Sequence, residues 1–201
     1  MSDFKPTAAT TPARRTTVRG ELTRLVLAAM LAALSIVLGK YLQIPIGNSI
    51  RISFENLPIL IAGIFFGPLT GGAVGVVADL VGCVMAGFTI NPIITAGAAL
   101  IGVLSGLTAT LFVRSGRTLS PWVVYASVYI AHVVGSMVVK SIGLFVYYST
   151  PLPVLLLRVP VYLAVGGLEG AVILLLARNK LFTGQLNRML SRRKGSDSHD
   201  L

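Results

Sequence analysis

Acidic residues are scarce: Asp and Glu number 7 in 201 residues against 17 Lys and Arg, and charged residues of all kinds make up only 12%. A soluble domain carries roughly a quarter charged residues, so the soluble globular class is excluded first. Cysteine is scarcer still. The single Cys83 cannot close an internal disulfide and has no CxxC or histidine partner nearby, which leaves it a packing role and removes redox and zinc readings. No GxxxxGK(S/T) phosphate loop occurs, so ATP hydrolysis by that route is excluded and any ATP-driven work needs a partner. Ser105 and His132 are present, but no GxSG elbow presents the serine, which argues against an intramembrane protease. No repeat or second domain is visible. No catalytic residue, metal ligand or cofactor is expected.

What is present is apolar sequence, 54% of the chain, in long uncharged runs. Six can be counted, at roughly 21–39, 54–67, 69–88, 92–113, 121–148 and 153–177. A helix needs about 20 residues to cross a hydrocarbon core of roughly 30 Å, so five runs suffice and the second, being short, leans on its flanks. The expected fold is an all-α integral membrane protein of six transmembrane helices. A basic N-terminal tail (1–20) precedes the membrane domain (21–178), and a basic tail (179–201) follows it. No small-x-small cleavage site follows the first run, so that helix is expected to be retained.

Basic residues fix the orientation. Lys5, Arg14, Arg15, Arg19 and Arg24 precede or open the first run; Arg178, Lys180, Arg188, Arg192, Arg193 and Lys194 follow the last; Arg114 and Arg117 share one short loop. This is the positive-inside pattern of a multi-pass protein with both termini in the cytoplasm. A net charge of +10 would otherwise suggest phosphate neutralisation. Here the charges flank a lipid bilayer, and nucleic acid is excluded as the partner.

Two cations, Lys140 and Arg158, remain inside the apolar runs, both in the outer half of the membrane. An intramembrane charge costs about 2.5–3.5 kcal/mol on insertion scales, so it faces a partner or a wet cavity. For Arg158, nearer a helix end, snorkelling to the interface is the simpler alternative. At 100° per residue, Tyr125, His132, Ser136, Lys140, Gly143 and Tyr147 fall within an arc of about 80°. Arg158, Tyr162, Gly166 and Glu169 form a second stripe on the sixth helix. The short connection at 149–152 makes these helices antiparallel neighbours. The stripes therefore line one pocket or satisfy one another as interhelical hydrogen bonds. Arg51 stands in the outer loop over the same mouth, unless Glu55 merely pairs with it. Three cations and few outer carboxylates point to an anionic ligand. Asp79 and Glu169, placed in the inner halves, receive no role.

Helix one carries Ala28, Ala29, Ala32 and Ala33 as overlapping small-xxx-small pairs, and helix three carries Gly71, Gly75, Ala78 and Gly82 on one arc. Such faces admit a second helix at close range, within the bundle or from outside it.

The run Arg51-Ile52-Ser53-Phe54-Glu55-Asn56-Leu57-Pro58, followed by Ala62-Gly63 and Phe66-Gly67-Pro68, resembles the substrate-binding (S) components of energy-coupling factor (ECF) vitamin transporters, in particular their folate-type branch. The likeness continues through 71–79, 95–106 and the Lys140, Tyr147 and Arg158 region, spanning roughly residues 20–178. It implies an S-component fold in a bacterial cell membrane that captures its vitamin, folate, in an outward cavity. The loops between helices one and two and between helices three and four cap that cavity, with Arg51 and Asn91 in the lid. Joined to the polar stripes, this makes Arg51, Asn91, His132, Ser136, Lys140, Tyr147, Arg158 and Tyr162 the expected substrate-binding residues. The resemblance further implies that Ala28, Ala29, Ala32 and Ala33 dock on a transmembrane coupling subunit carrying two ABC-type ATPases, a division of labour that suits the missing phosphate loop. Folate suits the cations, since its glutamate tail bears two carboxylates and its pterin can stack on Tyr or Phe. The alternatives are an S component for another micronutrient (pantothenate, cobalamin, a queuosine precursor) and a stand-alone secondary transporter. The latter often shows two related halves with broken helices, which are not seen here.

Overall fold

A computed structural model describes residues 14–46, 50–114 and 120–179. Each expected apolar run is helical: α1 (Arg14–Tyr41), α2 (Asn56–Phe66), α3 (Pro68–Met85), α4 (Pro92–Arg114) and, at the end of the chain, α7 (Leu152–Arg178). The fifth run is a single span of three parts, α5 (Pro121–Ala131), a π-helical segment (His132–Val139) and α6 (Lys140–Tyr148). Prolines open α3, α5 and α7, where the N–H that proline lacks would have had no helical partner. α1 begins at Arg14, ahead of the expected start at 21. Most of both basic tails, and Arg117, lie outside the described residues.

Among the described residues, five helices are long and apolar enough to cross a membrane. α2, with 11 residues, is not; at 1.5 Å per residue it covers only about 16 Å. It survives as the centre of the bundle. All its residues except Leu57 are buried, and it packs on α1, α3 and α4 and touches α5 and α7. A helix apolar on every side is a core helix. The lipid-facing surface lies on the outer helices, where Leu22, Leu25, Met30, Trp122, Phe145, Leu156 and Leu175 are exposed.

Three helices meet backbone against backbone at their glycines. A Cβ added at Gly102 of α4 would stand 2.1 Å from the Gly71 carbonyl, one at Gly71 of α3 would stand 2.5 Å from the Gly63 Cα, and one at Gly106 would stand 2.6 Å from the Gly63 oxygen. The small-residue arc of α3 is therefore an internal seam: Gly71 and Gly75 press on α4. Close backbone approach is how helices gain dispersion energy where lipid removes the hydrophobic drive. α2 and α3 are joined through Gly67 alone, at φ 95, a backbone region that side-chain-bearing residues avoid. Arg24 of α1 reaches this corner and donates to the Phe66 carbonyl and, at 3.0 Å, to Thr70 Oγ1, satisfying an orphan carbonyl at the C-terminus of α2.

The loop after α1 holds an element absent from the expectation, an antiparallel hairpin of β1 (Ile44–Ile46) and β2 (Ile50–Ile52) with Pro45 opposite Arg51.

Candidate binding site

Polar groups that fold into lipid need partners inside the protein. Between residues 22 and 179 the chain has three carboxylates, Glu55, Asp79 and Glu169, and all three are engaged. Glu169 of α7 lies 2.5 Å from His132 Nε2, while His132 Nδ1 lies 3.2 Å from Ser136 Oγ. All three residues are fully buried, and the Tyr162 ring covers the imidazole at 5.6 Å between centroids. The second oxygen of Glu169 has no hydrogen-bond partner among the described residues. This cluster ties the middle of the fifth span to α7.

Above it the π-helical segment changes where the span points. A π turn takes up one residue more than an α turn, and in an unbroken α-helix one residue subtends about 100°. An unbroken helix would set Lys140 about 80° around from His132; with one residue absorbed, the two stand within about 20° of each other. Lys140 is thereby aimed inward. Its stem crosses α4 at Gly97, where an added Cβ would come within 2.7 Å of Lys140 Cγ. Its ammonium donates to Glu55 Oε1 at 3.2 Å and Asn56 Oδ1 at 3.3 Å. Glu55 thus pairs with Lys140, while the side chain of Arg51, the other partner expected for it, lies outside the described residues.

Beside this pair lies a cavity of about 70 Å³ at the end of the bundle that carries the hairpin. Its polar lining is Ser35 and Lys40 of α1, Glu55, Asp79 of α3 and Lys140, with Gly39, Ala78, Gly82 and Cys83 among the small residues that leave the space. Asp79 accepts a hydrogen bond from Thr95 Oγ1 at 2.6 Å, and Ser35 donates to the Glu55 carbonyl at 2.5 Å. Lys40 stands over the Phe88 ring, 5.1 Å from its centroid. Two ammonium groups therefore face two carboxylates.

Residues 23–188 match the model of the family described as ECF transporter, substrate-specific component. The chain belongs to that family. ECF S components are integral membrane proteins, not enzymes; they bind vitamins and work with an ECF module. Three solved structures share the fold. FolT bound with folic acid is 20% identical, with a TM-score of 0.59 over 74% of this chain and 88% of that one. The S component of a bacterial ECF transporter is 24% identical, with a TM-score of 0.58 over 79% and 95%. The S-component for biotin from an ECF-type ABC transporter is 20% identical, with a TM-score of 0.57 over 82% and 93%. No curated protein matches.

In this S component the expected binding residues separate. Lys140 lines the cavity. His132, Ser136 and Tyr162 belong to the buried cluster below it. Arg158 donates to Ser141 Oγ at 3.4 Å and Tyr162 Oη at 3.1 Å, which holds it at the junction of α6 and α7. Asn91 caps α4 by accepting from the Ile93 N–H at 3.0 Å and donates to the Gly143 carbonyl at 3.1 Å. Tyr147 shares a face of α6 with Lys140 but is 54% exposed at the last turn. Arg51 is placed by its backbone alone, on β2. Sequence reasoning missed Ser35, Lys40, Glu55 and Asp79 as cavity groups. A signal existed: Ser35, Ile36, Gly39 and Lys40 on α1 repeat the spacing of Ala78, Asp79, Gly82 and Cys83 on α3, which puts each set on one helix face.

The alanine motif also divides. Ala32 is buried in the core and Ala28 packs against it, whereas Ala29 and Ala33 are exposed.

Proposed function

We propose that this S component captures folate at the cavity beside Lys140 and delivers it through an ECF module whose transmembrane coupling subunit carries two ABC-type ATPases. The observation that carries the reading is the mixed lining of the cavity. Lys40 and Lys140 match the two carboxylates of a glutamate tail. The carboxylate of Asp79 matches the N–H donors along a pterin edge. A solved structure of this fold holding folic acid supports the choice. Biotin, with one carboxylate and a ureido ring, is the second reading, because another solved relative is an S-component for biotin. A stand-alone secondary transporter drops out with the family assignment.

At about 70 Å³ the cavity is far smaller than the roughly 300–1,000 Å³ of pockets that enclose ligands of this size, so capture involves opening. The hairpin and the α3–α4 loop are the covers nearest to it in the chain, and both face outside if the termini are cytoplasmic. Ala29 and Ala33 form the small-residue surface for the coupling subunit. Calorimetry of the purified chain with folic acid, biotin and pantothenate, together with mass spectrometry of any copurified ligand, tests the reading. Folic acid is expected to bind without ATP; retention of biotin with no response to folic acid would remove the folate assignment.

A further inference from the structure

Lys140 and Glu55 hold each other but are not equally fixed. The Lys140 side chain is 7% exposed and that of Glu55 38%. Lys140 is wedged over Gly97 and shared with Asn56. Glu55 sits at the N-terminus of α2, just past the hairpin, and makes no side-chain cap on that helix. Its side chain instead passes across Gly39 of α1, where an added Cβ would lie 2.9 Å from Glu55 Oε2. Glycine at 39 leaves the path by which Glu55 reaches across the cavity to Lys140.

An ammonium at membrane depth needs a counter-charge, and Glu55 is that charge. A ligand carboxylate directed to Lys140 meets a position already taken. We propose that Glu55 is a tethered competitor: it occupies Lys140 in the ligand-free protein, and the carboxylate of an incoming vitamin must displace it. This rests on the proposed function, in that the ligand is taken to be an anion bound at Lys140. The exchange swaps one carboxylate for another at the same ammonium, so the buried charge stays balanced. Glu55 gives up a partly exposed pair, which is a modest loss, beside a helix N-terminus whose dipole favours a carboxylate. Because Glu55 lies between the hairpin and α2, its release is how occupancy of the cavity reaches the outer loop.

The single cysteine supplies the test, since Cys83 lines the same cavity. In detergent without ligand, N-ethylmaleimide is expected to modify Cys83 several-fold faster in Glu55→Gln, and in the shortened Glu55→Asp, than in wild type. Folic acid is expected to bind Glu55→Gln about tenfold tighter, as removal of a competing charge-assisted contact requires. Weaker binding than wild type overturns the proposal, because Glu55 would then be helping to hold the ligand. Unchanged Cys83 rates in both variants overturn it as well. If no anionic vitamin binds wild type or variants, the proposed function fails, and the Cys83 rates, which need no ligand, decide the inference alone.

Discussion

Doubling the bulk of one face of α1 and then of the other separates coupling from binding. Ala28 and Ala32 turn into the bundle, Ala32 being 5% exposed and part of the core around α2; Ala29 and Ala33 turn away from it. Replacing the inward pair with Leu forces extra carbons into packed space at about 1–3 kcal/mol per site. Together the two changes consume a large part of a stability of roughly 5–15 kcal/mol. The unfolding temperature and folic acid binding are expected to fall together. Replacing Ala29 and Ala33 with Leu adds apolar groups to a lipid-facing surface, so the isolated protein is expected to melt and bind as wild type does. A partner helix, however, is pushed away from close contact. A loss of only about 1.4 kcal/mol there lowers association tenfold. The assays are thermal unfolding and calorimetry of the isolated chain, copurification with the coupling subunit, and ATP-dependent uptake into vesicles. Full copurification and uptake by the Ala29→Leu/Ala33→Leu protein would refute the assignment of that face.

At the cavity, Lys140→Ala is expected to weaken folic acid binding by about 1.5–3 kcal/mol, the range of hydrogen bonds to charged groups. Arg158→Ala, whose partners are Ser141 and Tyr162, is expected to change it little, and equal losses in calorimetry would put Arg158 on the ligand. In the seam, Gly102→Ala places a Cβ 2.1 Å from the backbone of Gly71, an overlap that no side-chain rotation relieves. Its cost is expected to reach or exceed the roughly 3 kcal/mol upper range of ordinary overpacking, and an unchanged melting temperature would contradict the close contact of α3 and α4. For the buried pair, Glu169→Leu alone strands His132 and is expected to cost about 3–5 kcal/mol. Adding His132→Leu should recover most of this in a thermal double-mutant cycle, whereas simple additivity would mean the two side chains do not interact.

The sequence by itself settled the solvent and the number of helices. Uncharged runs of 20 residues have no stable place in water, and proline and glycine at 67, 68, 92, 121 and 151 mark where those runs stop and start. It also showed that Lys140 needed a partner, because the cost of an intramembrane charge does not depend on which group offsets it. That partner was beyond its reach. Glu55 lies 85 residues away, and spacing along one helix says nothing about which residue of another comes opposite. The hairpin escaped because three-residue strands are too short to show a period of two. The π-helical segment escaped because its residues follow the same apolar pattern as the α-helix around it. Its extra residue is accommodated only where buried anchors lie to either side, His132 on Glu169 and Lys140 on Glu55. The four alanines of α1 are equivalent in sequence, and the core alone decides that Ala28 and Ala32 turn inward. Local chemistry thus dictates which segments enter the membrane, while the rotation of each helix about its axis, and hence which charges meet, is set by backbone packing at the glycines of α2, α3 and α4.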